Sequence, residues 1–319
     1  MATTSVKSAL SERERYEGLL YGSLAADSLA VAPHWIYDQA EIVQRFGRMN
    51  ELQTPPEDGY HAGKVRGAQT HYGDQTLVLL ESLEACGGNF VVEDFARRWR
   101  QFWKDTKSYR DHATKDTLAH LEQGSGLTRA GSDSRELGGA SRIAPLLLAL
   151  RNEEEPTIIG AVCAQTALTH GTPEVIDAAE FIARMVFLLV RGVRVASALE
   201  MASALPYEKL QPLAYLHQAE KIRDLPTEEA VEELGPSCPL EKALPSVFAI
   251  LLRHGDNLET ALIENVMAGG DSAARGLVLG MILGAAHGLR AVPTRWTYPL
   301  LARPQIEKFL KTVGLGQTD

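Results

Sequence analysis

Cysteine is scarce in this 319-residue chain. Cys86, Cys163 and Cys238 are widely spaced, form no CxxC pair and leave one over. No disulfide framework follows, and a reducing, cytoplasmic setting is expected. A basic excess is missing as well: 32 Lys and Arg stand against 41 Asp and Glu, for a net charge of −9. The concentrated basic face of a nucleic-acid binder is therefore not expected. A small anionic ligand remains compatible with that balance, because a few local donors suffice to hold one. The start "MATTSVKSALSERERYEG" lacks the apolar stretch of a signal peptide. The most apolar run, "AARGLVLGMILGAAHGL", is short for a membrane span and is interrupted by Arg275, so a buried core helix is the expectation. Alternating strand patterns and repeats of fixed period are also absent.

What is present is helical periodicity. Ser11 with Glu14 forms a capping box ahead of "YEGLLYGSLAADSLAVA", which Pro33 closes. Asp38 with Glu41 opens a shorter helix ended by Gly47, and Asp256 with Glu259 predicts a third box before "TALIENVM". Apolar spacing of three and four recurs in "FVVEDFARRWRQFW", "IIGAVCAQTAL", "VIDAAEFIARMVFLLV" and "SVFAILLR". The arginines of "FARRWRQFWK" belong to an amphipathic helix with its aromatics turned inward. Gly22, Ala25, Ala26 and Ala30 place a narrow stripe on the first helix, and Gly276, Gly280, Gly284 and Gly288 recur at every fourth position on a late one. Such stripes mark close helix contact. A single all-α domain over residues 1–319 is expected, with 48–70 and 105–138 as long loops and the acidic runs near 152–156 and 226–235 as solvated surface.

Polar chemistry concentrates at predicted helix starts. "HYGDQT" carries His71, Tyr72, Asp74, Gln75 and Thr76, and "AGGDSAARG" carries Gly270, Asp271 and Ser272. Capping explains an Asp or Thr at such places, but not His71, Tyr72 and Gln75 beside them. "GGASRIAP" offers an anion cradle from Gly139, Ser141 and Arg142. "LTHGTP" ends one helix with Thr169 and His170, where a lone histidine is more often a capping partner than a catalytic group.

Taken in order, "GSLAADSLA", "GDQT", "SRIAP", "TH" and "GGDSAA" resemble the motifs of the ADP-ribosylglycohydrolase family across nearly the whole chain. "PHWIYD" and "THYGDQ" resemble its J-crystallin branch. The resemblance implies an orthogonal helical bundle around a cleft with two divalent cations, magnesium or manganese, and hydrolysis of the glycosidic bond between ADP-ribose and an acceptor such as arginine or serine. Carried over residue by residue, Asp74 and Asp271 match metal-binding aspartates. Gly73 and Gln75 stand where threonine and a second aspartate are expected, and Ala273 and Ala274 replace an aspartate and a threonine. Asp27 matches the first-helix aspartate, and His34 stands at or near a catalytic glutamate.

Magnesium favours hard oxygen ligands, above all carboxylates. The departures therefore predict no resident metal, with at most one weakly held Mg²⁺ or Mn²⁺ between Asp74 and Asp271. The candidate catalytic residues are His34, Asp74, Gln75 and Asp271. The candidate ligand-binding residues are His71, Tyr72, Thr76, Gly139, Ser141, Arg142, His170, Gly270 and Ser272. Three classes compete: a hydrolase of altered, metal-independent chemistry on an N-glycosidic, amide or related bond; a non-catalytic binder of ADP-ribose or a nucleotide; and a structural protein of crystallin type. The partner expected is a small-molecule, ADP-ribose-like ligand, with neither nucleic acid nor membrane.

Overall fold

The computed structural model describes residues 10–316. Its helices run in the order α1 (Glu12–Ala30), α2 (Gln39–Phe46), α3 (His71–Ala85), α4 (Val92–Asp105), α5 (His112–Glu122), α6 (Ala144–Ala149), α7 (Glu155–Ala167) and α8 (Pro173–Val190). They continue as α9 (Val195–Ser203), α10 (Pro212–Lys221), α11 (Thr227–Leu234), α12 (Leu240–His254), α13 (Leu258–Met267), α14 (Ser272–His287), α15 (Thr294–Thr297) and α16 (Arg303–Thr312). Among the described residues no strand forms. Two isolated bridges, Ser132 with His170 and Glu136 with Pro239, tie the segment before α6 to its neighbours. The fold is all-α, and no described helix is long and apolar enough to cross a membrane.

The local signals act as the chain chemistry dictates. Ser11 and Glu14 satisfy each other's backbone N–H groups at the start of α1, and Asp38 caps α2. On α4, Phe95, Trp99 and Trp103 are buried while Arg97 and Lys104 face solvent. The third cap differs from expectation: Asn257, not Asp256, accepts from the N–H of Thr260. Segment 105–138 is also not one loop, because α5 occupies its middle and buries Ala113, Thr114, Thr117 and Leu121. Its inward face is half threonine, so apolar periodicity could not reveal it. The acidic run near 226–235 likewise holds α11, which buries Ala230 and Val231.

The two small-residue stripes meet. Helices α1 and α14 cross so closely that a methyl group on Gly280 would overlap the carbonyl of Gly22, and one on Gly284 would overlap that of Gly18. Arg275 is fully buried on α14. Its guanidinium is taken up by Asn265 Oδ1 at 3.0 Å and by the carbonyls of Pro236 and Gly269. It thereby fixes the turn that leads into α14.

Candidate functional site

Three helix starts converge: those of α3, α5 and α14. Thr70 caps α3, and its own N–H and hydroxyl are held by the buried Asp27 at 2.7 and 2.5 Å. Asp27 thus anchors the start of α3 from α1. Gly73 leaves the room that this carboxylate occupies, since a side chain there would overlap Asp27 Oδ2. Asp111 caps α5 through the N–H of Thr114 at 2.6 Å. Asp271 caps α14, after Gly269 and Gly270 with φ of 75° and 67°. That turn brings the backbone against Ile36 and Pro236, where Gly270 N–H donates to Ile36 O (2.8 Å) and Asp271 N–H to Pro236 O (2.9 Å).

At the convergence lie His34, His61, His71, Tyr72, Asp111 and Asp271, all buried. The ring of His34 stacks on His61 (5.2 Å between centroids) and tilts against His71 (5.6 Å), which lies 5.6 Å from His61 and 3.9 Å from Tyr72. The Tyr72 hydroxyl donates to Asp271 Oδ2 at 3.2 Å. Asp271 Oδ1 is 3.9 Å from His34 Nδ1, and Asp111 Oδ2 is 3.5 Å from His71 Nε2. Trp35 covers the cluster, stacking on His34 at 4.3 Å and meeting Tyr60 and Tyr109 edge-on. Trp35 is the one described non-glycine residue with positive φ, 65°. Its N–H donates to Gly270 O at 3.1 Å, so this strained backbone is held by the same turn that presents Asp271.

Electrostatics separate the groups. Burial, followed by mutual repulsion with neighbouring rings, pushes His34 and His61 well below the ordinary imidazole range, so both are neutral. Burial also raises Asp271, with Arg275 opposing it, and lifts the thiol of Cys238 beside that carboxylate. Burial works against Asp111 too, but the nearby His71 ring, 3.5 Å away, outweighs it and holds the carboxyl low. Glu136 is pushed up to about 7 by burial and then by Asp111 and Asp271, and one of its oxygens has no hydrogen-bond partner. A carboxyl that titrates near neutrality is suited to proton transfer.

These shifts make a stability prediction. Glu136 is raised in the folded protein, so its contribution is full below about 4.5 and is lost as pH rises through about 7. His34, His61 and His170 act oppositely: depressed in the fold, they cost stability as pH falls below about 6.5. A comparison of variant with wild type cancels the histidine contribution. Glu136→Gln is expected to gain roughly 2–3 kcal/mol on the wild type between pH 5 and 8. Urea melts across that range give the value, and a difference that stays flat with pH would refute the Glu136 assignment.

The remaining sequence candidates lie beside the cluster rather than in it. Asp74 Oδ2 accepts from Lys64 Nζ at 2.5 Å and from Ser108 at 2.6 Å. Gln75 turns into the core, where its oxygen accepts from Trp99 Nε1 (2.8 Å) and Arg142 and its amide donates to His71 O (3.0 Å). The hydroxyl of Thr76 donates back to Tyr72 O at 3.1 Å, and Ser272 O accepts from Asn265 at 2.8 Å. The anion cradle expected at Gly139, Ser141 and Arg142 does not form. Ser141 turns its hydroxyl onto Gly138 O (3.0 Å), Arg142 is spent on Gln75 and Thr169, and a side chain at Gly139 would meet the His170 ring. His170 bonds Thr169 Oγ1 through Nδ1 at 3.0 Å and is pushed down to about 3 by burial. His61, Asp111, Glu136 and Lys64 escaped the sequence reading, because each sits in or next to a segment taken as loop. Only the Asp-His-Ala-Thr start of α5 carried a readable capping signal.

The model of the ADP-ribosylglycohydrolase family matches residues 8–318. The chain belongs to that family. Family relatives include an uncharacterised protein of Archaeoglobus fulgidus, 28% identical over 92% of this chain and 94% of its own length. Crystallin J1A of Tripedalia cystophora is 22% identical over 89% of this chain and 91% of its own. ADP-ribosylhydrolase ARH3 of Gallus gallus is 24% identical over 94% and 92%. Among solved structures, an ADP-ribosylglycohydrolase-related protein complex aligns with TM-score 0.73 at 22% identity, covering 95% of this chain and 97% of that one. The all-α fold is thus that of the ADP-ribosylglycohydrolases, and likeness to the J crystallins accompanies likeness to a hydrolase.

Set against the family's motifs, the oxygen-bearing positions are spoken for. Asp74 already carries the Lys64 ammonium, Gln75 faces the core, and Ala273 and Ala274 offer no donor atom. Lys64→Met is expected to cost about 1–2 kcal/mol, because it strands a half-buried carboxylate rather than merely removing a surface pair. Thermal or urea unfolding of the variant at pH 7 measures it.

Proposed function

We propose that this member of the family is a hydrolase acting on an N-glycosidic, amide or related bond of a small, ADP-ribose-like molecule, without the pair of carboxylate-held divalent ions that the resemblance implies. The residues present do not fit such a pair. Asp74 and Asp271 are the carboxylates left at the matching positions, and a tethered ammonium neutralises the first of them. The single observation that carries the reading is the chemistry gathered where α3, α5 and α14 begin. Three buried imidazoles and two buried acids meet there under an aromatic cover, more than capping or packing requires. In this reading His34 acts through a free lone pair, Tyr72 and Asp271 orient it and the substrate, and Glu136 exchanges protons near neutral pH.

The test incubates the protein with peptides ADP-ribosylated on arginine or serine and follows released ADP-ribose by chromatography, with and without added magnesium. Turnover that magnesium leaves unchanged supports the reading. Turnover that requires magnesium would overturn the rejection of the ion pair. Absence of turnover, with no heat of binding for ADP-ribose, favours a crystallin-like protein. That second reading has its own support in the closed Trp35–Tyr60–Tyr109 cover and in the crystallin relatives.

A further inference from the structure

We propose that His34, His61 and His71 form a mononuclear site for an imidazole-favouring transition cation, zinc foremost. One ligand nitrogen from each of the three rings lies within 4.8 Å of the other two, and all three residues are buried. That spacing suits three corners of a tetrahedron, since nitrogens bound to zinc at about 2.0–2.1 Å stand roughly 3–3.5 Å apart after a small inward movement. None of the six ring nitrogens has a hydrogen-bond partner within the protein. Six orphaned nitrogens in one buried cluster would cost several kcal/mol if nothing met them.

The surroundings match what such a site needs. Asp111 stands 3.5 Å from His71 Nε2 and Asp271 stands 3.9 Å from His34 Nδ1, as outer carboxylates commonly flank ligand histidines and set their tautomers. The buried Asp111 and Asp271 bring carboxylates to the cluster, while the guanidinium of Arg275 is committed to Asn265 and two carbonyls. A dication offsets the carboxylates' charge. The donor set also excludes magnesium, which takes oxygen, and favours zinc, cobalt, nickel or copper. The other His/Asp group, His112, Asp116 and Asp133, is largely exposed and has no such orphaned nitrogens, so it serves as the control.

The site departs from the metal-free cleft expected from the sequence, and it deepens the hydrolase reading, on which its catalytic role rests though its existence does not. Three nitrogens leave a coordination position for water, whose proton zinc would loosen to near neutrality. His34 is then a ligand rather than a base.

The full-length protein, stripped against dipicolinate, is titrated with Co²⁺ and watched for ligand-field absorption. One equivalent giving the intense visible bands of tetrahedral cobalt, displaced by Zn²⁺ but not by Mg²⁺, is expected. His61→Gln should weaken binding at least tenfold with an unchanged far-UV circular dichroism spectrum, whereas His112→Ala should bind as the wild type does. Weak octahedral spectra, a stoichiometry well below one, or His61→Gln binding like wild type would overturn the proposal. Metal bound without turnover sinks the hydrolase reading alone, and turnover by the stripped protein sinks the metal's catalytic role alone.

Discussion

A His34→Gln variant is expected to fold and to lose roughly 10²- to 10⁴-fold in turnover, the range typical of removing one positioned proton-transfer or water-activating group. Glutamine keeps much of the volume and some polarity, so Trp35 retains a surface to stack on and the cover over the cluster persists. What disappears is a neutral lone pair. Burial makes that lone pair available throughout the physiological range, because it holds His34 well below its ordinary value. The wild-type rate should therefore show no limb from His34 near pH 6.5, and its pH dependence should follow Glu136 at about 7 instead. Asp271→Asn should cost less than His34→Gln, since asparagine still caps α14 and can still accept from Tyr72. Initial rates on the three proteins between pH 5 and 9 decide the matter. A His34→Gln enzyme with wild-type kcat would remove the imidazole from the mechanism.

The largest stability effect is expected at the α1–α14 crossing. Gly280→Val places a branched side chain where Gly22 O already lies, and Gly284→Val does the same at Gly18 O. The obstacle is backbone on a buried helix, so no rotamer relieves it and the helices must part. Overpacking a core ordinarily costs about 1–3 kcal/mol. Here the separation would also disturb Asp27 on α1 and Asp271 at the head of α14, and a loss above ~4 kcal/mol is expected. Gly276→Ala is the milder companion, because its new methyl would stand 3.3 Å from Ala26 O and from Asn265 Nδ2. Denaturant melts should rank Gly276→Ala above both valine variants. A Gly280→Val protein as stable as the wild type would mean that the crossing is looser than its geometry states.

The crossing was legible in the sequence because glycine at every fourth position has few explanations other than close helix contact. The helical class and most helix starts were legible for the same reason: capping residues and apolar spacing are local signals. The cap falls on Asn257 rather than Asp256 because both side chains can cap and adjacent positions differ only in backbone geometry. Within the site, His34, His71, Tyr72 and Asp271 were readable as polar residues at motif positions. His61 and Glu136 were not, since their burial comes from how segments 47–70 and 130–136 fold over the cluster. Gln75 and Arg142 carry a different lesson. Polar residues at motif positions read as ligands for something outside, yet here they satisfy each other and Trp99.

The α1–α14 contact also has a meaning for how the chain is made. Helix α1 leaves the ribosome roughly 240 residues ahead of its partner α14, a wait of about 10–50 s at ordinary rates of synthesis. Until then the face of α1 meant for α14 is exposed. That face is Gly18, Gly22 and Ala26, which offers little apolar area for a wrong partner to seize. The groove that lets two backbones touch in the finished protein is, during synthesis, a surface with almost nothing to stick to.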